Sequence, residues 1–162
     1  MLDAADYRIE SNPDSRDVNT LEERIIEFNY ETTGCRDGEL LSIFLRDENG
    51  EIQAGIYGWT WGGTCEIRTL WVAAGLRGQG IGKTLLACAE AEARRRACHQ
   101  IVLSTHSFQA PGFYQKYGFQ VIGSIHDYPR GFQSYYLEKK LVAMSTMETE
   151  VRVLSAADSV RP

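Results

Sequence analysis

The segment Leu70–Leu86, LWVAAGLRGQGIGKTLL, decides the fold because it joins two kinds of structure. It opens with apolar residues that predict the end of a β-strand. It leads into Lys83–Ala97, a run rich in Ala, Leu, Glu and Arg, which is a composition typical of α-helices. Between them lies the glycine-rich loop Arg77–Lys83. Such a loop presents successive backbone N–H groups at the positive end of a helix dipole. It therefore predicts a site for an anion, most naturally a pyrophosphate.

Three kinds of phosphate-binding loop compete for this pattern. A dinucleotide-binding loop needs glycine where the chain has Lys83, and a P-loop needs glycine where it has Arg77. A coenzyme A loop, written Q/R-x-x-G-x-G/A, finds its fixed positions filled by Arg77, Gly80 and Gly82. The remaining alternative is a helix-capping turn that binds no ligand. The spacing favours coenzyme A.

Around this loop the pattern predicts one α/β domain over residues 1–142, with a mixed, mostly antiparallel central sheet flanked by helices. A helix followed by a short apolar strand predicts one parallel crossover. Asp17 or Asn19 is expected to cap the first helix, and residues 143–162 to form a partly ordered appendage. The predicted strands are Tyr7–Glu10, Glu39–Arg46, Ile52–Thr60, Thr64–Val72, Ile101–Ser104, Gln120–Ile125 and Ser134–Leu141, and the predicted helices are Val18–Glu31, Lys83–Ala97 and Pro111–Lys116.

The composition is that of an ordinary soluble protein of 162 residues, 43% hydrophobic and 24% charged. A net charge of -5 argues against nucleic acid as the main partner, because phosphate binding needs a basic face. The basic run Arg94–Arg96 is instead expected to be a solvated helix end. The pattern of a signal peptide is lacking, and no apolar run approaches the ~20 residues of a membrane span. We therefore expect a cytoplasmic protein with no membrane partner.

The four cysteines, Cys35, Cys65, Cys88 and Cys98, lack the spacing of a metal site. No metal is expected, and the thiols are expected to be free, as in a reducing compartment. Cys88 and Cys98 lie on or beside a helical apolar pattern. Both are therefore predicted to be small core residues.

A second block, APGFYQKYGFQ at Ala110–Gln120, follows the first after a predicted helix and strand. Together, the two blocks resemble the GNAT superfamily of N-acetyltransferases, and the resemblance covers about Tyr7–Leu141. It implies a sheet that opens between two splayed strands, with acetyl-CoA as the acetyl donor and a primary amine as the acceptor. No metal belongs to this chemistry.

The resemblance also implies where acetyl-CoA binds. Main-chain groups of Leu70 and Val72 would hold the pantetheine arm as an added strand, and the Leu70 N–H would polarise the thioester carbonyl. Trp71 is expected to face opposite to Leu70, in the core. Ser107 stands where the family often has asparagine. The expected cofactor contacts are Leu70, Trp71, Val72, Arg77, Gly78, Gln79, Gly80, Ile81, Gly82, Lys83, Ser107, Phe113, Tyr114 and Lys116.

Two residues are implied in catalysis. Glu66 lies 11 residues before Arg77, where family members with a glutamate base on this strand carry it. It would deprotonate the amine through water, since an alkylammonium has a pKa of ~10.4. The alternative is a glutamate that faces solvent or pairs with Arg68. Tyr114 matches the tyrosine beside the departing sulfur, and the alternative is a core tyrosine. His106 is a further candidate base or substrate contact, or a structural residue.

Neither block contains a cysteine, so we expect direct transfer in a ternary complex rather than an acyl-enzyme. The alternatives are a non-catalytic acyl-CoA sensor and an NTP-binding protein, the latter suggested by Gly82-Lys83-Thr84. The acceptor, a small-molecule amine or a protein amine, stays open, as does a homodimer. The segments expected to shape the acceptor site are Glu27–Gly38, His106–Gln109 and His126–Phe132.

Overall fold

The computed structural model of the chain describes residues 10–11 and 14–142. These belong to two units, Met1–Arg36 and Asp37–Pro162, which are described separately. The predicted strand Tyr7–Glu10, apart from Glu10, and the predicted appendage 143–162 lie outside the described residues. A single domain over residues 1–142 stays a prediction.

The first unit contains helix α1, Ser15–Thr33. Its N-cap is Asp14, whose carboxylate accepts a hydrogen bond of 2.9 Å from the backbone N–H of Arg16. The predicted caps, Asp17 and Asn19, are wrong, because both lie inside the helix. The apolar residues that reveal the helix begin only after its polar first turn. A prediction from apolar periodicity therefore places the start of the helix too late. Asp17 still lies in the first turn, where a carboxylate favours the helix dipole.

The second unit is built on a six-stranded sheet with helices. Its elements are β1 (Glu39–Arg46), β2 (Ile52–Trp61), β3 (Thr64–Val72), a 3-10 turn (Ala74–Leu76), α2 (Ile81–Arg95), β4 (Gln100–His106), α3 (Pro111–Lys116), β5 (Gln120–His126) and β6 (Gln133–Lys140). The strand order is β1-β2-β3-β4-β6-β5. Strands β3 and β4 pair in parallel, and all other neighbours in this sheet are antiparallel. The predicted mixed, mostly antiparallel sheet with helices is therefore confirmed.

Two boundaries differ from the predicted ones. Helix α2 begins two residues before Lys83, because Gly80 occupies the N-cap with a φ of 83°. Strand β4 extends beyond Ile101–Ser104 at both ends. Its polar ends are held by backbone pairing with β6, from Gln100 to His106, and a hydrophobic pattern does not register such pairing.

A tight turn joins β2 to β3 and sets the register of the meander. Gly62 and Gly63 have φ values of 56° and 76°, as a two-residue hairpin turn with a right-handed twist requires. A side chain at Gly63 would also collide with the ring of His99. This turn therefore depends on both glycines.

A β-bulge interrupts the same strand pair further along. Tyr57 pairs with Thr69 and Gly58 with Ile67, so Arg68 is an extra residue on β3. Gly58 lies so close to β3 that a Cβ atom there would stand 1.9 Å from the carbonyl oxygen of Glu66. The extra residue inverts the alternation of β3. Its odd-numbered residues face the core before the bulge, and its even-numbered residues do so after it.

The hydrophobic core of this unit includes buried residues of the sheet and one face of α2. The buried helix residues are Leu85, Leu86, Ala89 and Ala93. Cys98 is buried, as predicted, but Cys88 is exposed and the prediction for it is wrong. At 100° per residue, position 88 points away from the stripe that the buried helix residues form.

The basic run at the end of α2 is only partly solvated, so the prediction for Arg94–Arg96 is wrong for Arg96. Its side chain is 12% exposed, and its guanidinium donates to the carbonyls of Glu39 and Leu40 and to the hydroxyl of Thr60. Arg94 donates to the carbonyl of Val142. In this structure these arginines tie α2 to the sheet and to the end of β6. Of the helices in residues 10–11 and 14–142, none is long and apolar enough to cross a membrane.

Replacing Gly58 with alanine should lower the free energy of unfolding by about 2 kcal/mol or more, because the new Cβ forces the two backbones apart. Urea denaturation measures the change. Gly123→Ala in β5 is the matched control, because a Cβ there meets no atom within 4 Å. Equal stability of both variants would contradict a bulge that depends on glycine.

Candidate active site

The sheet opens where β3 and β4 stop pairing. Their parallel register runs from Thr64 and Gln100 to Ile67 and Leu103, and ends there. Strand β3 continues along β2 to Val72, while β4 continues along β6. The unpaired ends therefore diverge, as the predicted splayed pair requires. The β3 bulge lies at the same point, so the change of face and the parting of the strands coincide.

A cavity of about 1030 Å³ lies in this opening, bounded by both strands, the glycine loop and α3. Most of the predicted cofactor contacts line it. They are Leu70, Trp71, Val72, Arg77, Gly78, Gly80, Ile81, Gly82, Lys83, Phe113, Tyr114 and Lys116. Three predicted site residues, Glu66, Gln79 and Ser107, are not among the residues that line it.

The glycine loop ends in a helix cap that contains no side chain. Gly78 and Gly80 both have positive φ, and Gly80 makes no side-chain cap to α2. The first bond back to the cap is from the Thr84 N–H to the Gly80 carbonyl, at 3.0 Å. The N–H groups of the turn before it have no intrahelical acceptor. They form a positive cradle beside the cavity.

Side chains of the loop hold its shape. The Nε of Arg77 donates to the carbonyl of Val72 at 3.0 Å, which fixes the loop to the end of β3. The side-chain amide of Gln79 donates to the carbonyl of Gly75 at 2.9 Å, so it stabilises the loop. Arg77 still lines the cavity, whereas Gln79 does not.

The start of α2 contacts both β3 and α3. A Cβ at Gly82 would lie 3.5 Å from the Phe113 ring and 3.8 Å from the Leu70 side chain. Leu70 and Val72 pack against the core, so Trp71 between them faces the other side of the sheet. Trp71 is 46% exposed there, and the prediction that it belongs to the core is wrong. The alternation of side chains along the strand correctly predicted the side of the sheet on which Trp71 lies. It could not predict whether other residues cover that side.

Tyr114 is buried at the cavity wall, with its ring edge-on to Phe113 and Phe119 at centroid distances of 5.1 and 5.8 Å. Burial raises the pKa of the Tyr114 phenol above its ordinary value. A phenol is protonated through the neutral range in any case, and burial strengthens that preference. The Tyr114 hydroxyl can therefore serve as a hydrogen-bond donor at the cavity wall.

Glu66 lies on β3 just before the bulge, on the face opposite to the buried Cys65 and Ile67. Its carboxylate forms an ion pair of 3.2 Å with Arg68, whose guanidinium lies 5.3 Å from the ring centroid of Trp59. Glu66 therefore forms the ion pair with Arg68 that the sequence pattern left open as the alternative to a catalytic base. In this geometry the carboxylate is near the opening but not in the cavity wall.

Ser107 is tied to β6 by two hydrogen bonds. Its N–H donates to the Gln133 carbonyl at 2.8 Å, and its hydroxyl accepts from the Gln133 N–H at 3.1 Å. A hydroxyl oxygen used in this way holds two strands together at the end of β4. Its predicted role as a cofactor contact stays a prediction.

Sequence reasoning missed some residues of the cavity wall, among them Thr105. Gln109, which belongs to the predicted acceptor segment His106–Gln109, lines the wall as well. Its amide oxygen accepts from the Thr105 hydroxyl at 3.0 Å and from the His106 N–H at 2.8 Å, closing the turn after β4. The available signal for Thr105 was position alone, because it directly follows the predicted strand Ile101–Ser104.

The cavity wall is cationic. The described residues that line it include Arg68, Arg77, Lys83 and Lys116, and no Asp or Glu is among them. Such a wall suits a ligand with several negative charges. Elsewhere in the described part of the chain, no group of three or more His, Cys, Asp or Glu side chains could hold a metal ion.

Comparisons with known proteins agree with this geometry. The sequence profile of the Acetyltransferase (GNAT) family matches residues 4–119. Blasticidin-S acetyltransferase of Streptomyces morookaense is 42% identical over 111 residues, which are 66% of this chain and 79% of that protein.

Two solved structures share the fold. An acetyltransferase from Agrobacterium tumefaciens, 30% identical, has a TM-score of 0.77 over 84% of this chain and 99% of that one. A streptothricin acetyltransferase from Bacillus anthracis, in complex with acetyl coenzyme A, is 22% identical. It has a TM-score of 0.56 over 64% of this chain and 63% of that one. The chain belongs to the GNAT family of acetyltransferases.

Proposed function

We propose that this acetyltransferase moves the acetyl group of acetyl-CoA directly to a primary amine within a ternary complex. The observation that carries the proposal is the opening between β3 and β4 beside a glycine-capped helix and a cationic wall. A cytoplasmic location and a homodimer stay predictions, as does the predicted acceptor segment Glu27–Gly38.

The residues present fit acetyl-CoA. The pyrophosphate requires N–H donors and positive charge, which the first turn of α2, Arg77 and Lys83 supply. The pantetheine arm requires a strand edge without a partner, and β3 has one beyond Ile67. A protein of the same fold binds acetyl coenzyme A, which supports the assignment.

We assign the chemistry of transfer to three groups. The backbone N–H of Leu70 stabilises the negative charge that develops on the carbonyl oxygen during attack. As the amine nitrogen bonds to the carbonyl carbon, the carbon–sulfur bond breaks and its electron pair stays on sulfur. Tyr114, a neutral phenol, gives the leaving sulfur a hydrogen bond or a proton. Glu66 accepts the proton of the amine through water.

Two alternatives remain distinguishable by experiment. A non-catalytic acyl-CoA sensor would bind acetyl-CoA without releasing thiol in the presence of any amine. An NTP-binding protein would bind ATP through the loop that ends in Gly82-Lys83-Thr84. The absence of carboxylates from the described cavity wall disfavours the second, since Mg²⁺ with a nucleotide normally takes a carboxylate ligand.

Gly82→Asp should raise the KM for acetyl-CoA about tenfold or more while the fold is retained. A carboxylate in the first turn favours the helix dipole but repels the pyrophosphate. Thiol release with a panel of primary amines measures KM. The control is Gly75→Asp, which adds the same charge to the neighbouring 3-10 turn, outside the cavity wall and in open space. Equal KM values for the two variants would contradict pyrophosphate binding at α2.

Tyr114→Phe should lower kcat about 100-fold or more with little change in the KM for acetyl-CoA, because it removes the hydroxyl group and keeps the ring. Thiol-release kinetics measure both constants. Tyr57→Phe, at an exposed position on β2, is the matched control and should be neutral. A Tyr114→Phe enzyme with unchanged kcat would show that the tyrosine only packs.

Glu66→Gln should lower kcat with little change in the KM for acetyl-CoA, because the amide cannot accept a proton. Thiol-release kinetics measure both constants. The matched control is Glu138→Gln on β6, since Glu138 pairs with Lys140 at 2.9 Å with the same i, i+2 spacing. An unchanged kcat in Glu66→Gln would assign Glu66 to its ion pair with Arg68 and exclude it as the base.

A further inference from the structure

Four aromatic rings form a cluster where β4 ends and the β5–β6 loop returns. The imidazole of His106 stacks on the Phe108 ring with centroids 5.1 Å apart and planes 7° from parallel. Tyr128 meets the imidazole edge-on at 5.6 Å, and Phe132 meets Phe108 edge-on at 5.0 Å. We call these four residues the aromatic cluster. They lie within two of the segments predicted to shape the acceptor site.

The outer rings of the cluster are not covered. Phe108, Tyr128 and Phe132 are all exposed, although each is a large apolar or amphipathic side chain. Single exposed apolar side chains are ordinary, but contiguous ones at the rim of a cavity mark binding surfaces. The cluster is continuous with the cavity, because its inner member, His106, lines the cavity wall.

The cluster is held in place before any ligand binds. The His106 N–H donates to Gln109, and Ser107 bonds to β6. In the β5–β6 loop the Tyr128 N–H donates to the Phe132 carbonyl at 3.1 Å, and Asp127 accepts from the Gly131 N–H at 2.6 Å. A preformed aromatic surface binds a flat group at a low cost in ordering.

We infer that the aromatic cluster binds the acceptor, and that the acceptor is an amine attached to a planar unsaturated ring. The ring lies against Phe108 and His106. The inference rests on the proposed acetyl transfer and names the substrate class for that site.

Three amines test it with acetyl-CoA as donor: 2-phenylethylamine, its saturated analogue 2-cyclohexylethylamine, and spermidine. The value of kcat/KM for 2-phenylethylamine should exceed that for each of the others about tenfold, because only a flat ring stacks favourably. Phe108→Leu should remove the preference by raising KM for 2-phenylethylamine with kcat retained. Phe44→Leu, an exposed phenylalanine on β1 outside the cavity wall, should keep it.

Equal use of the two ring amines, preference for spermidine, transfer to none of the three, or a preference that survives Phe108→Leu overturns the inference. Calorimetric titration with acetyl-CoA distinguishes failure of the acceptor assignment from failure of the proposed function. If the protein binds acetyl-CoA, only the acceptor assignment fails. If it does not, the proposed function fails too.

Discussion

The rest of the site depends on the end of the parallel pairing between β3 and β4 at Ile67 and Leu103. Beyond that point β3 stays paired with β2 and β4 stays paired with β6, so the sheet opens while both strands remain hydrogen-bonded on their other side. The bulge opposite Gly58 turns Leu70 and Val72 toward the core and α2 at the same place. One extra residue on β3 therefore produces both an unpaired strand edge and a wall against the glycine-capped helix.

The opening alone would be a neutral cleft, and the chemistry comes from what surrounds it. The uncapped N–H groups of α2 and four cationic side chains give one sign of charge to the wall. Tyr114 stands in an apolar setting that favours its protonated phenol. The carboxylate of Glu66 lies outside this wall and forms an ion pair with Arg68. From this position it can take a proton from the amine only through a water molecule. The aromatic cluster adds an apolar surface at the far rim.

Much of this was predictable from local sequence. The two sequence blocks are contiguous segments, and the family resemblance that they carry implied about half of the residues that line the cavity. Features that depend on contacts between distant segments were not predictable. The bulge requires Gly58 and Glu66, eight positions apart, to touch across two strands. The burial of Arg96 requires acceptors on β1 and β2. The exposure of Trp71 and the use of Ser107 by β6 likewise follow from tertiary packing.

The most direct test of the account is calorimetric titration of the purified protein with acetyl-CoA, with ATP and NAD as controls. The account predicts one site per chain for acetyl-CoA and no heat of binding for ATP or NAD, because the loop lacks the glycines that the P-loop and dinucleotide patterns require at positions 77 and 83. Binding of ATP or NAD without binding of acetyl-CoA would contradict the assignment of the opening between β3 and β4.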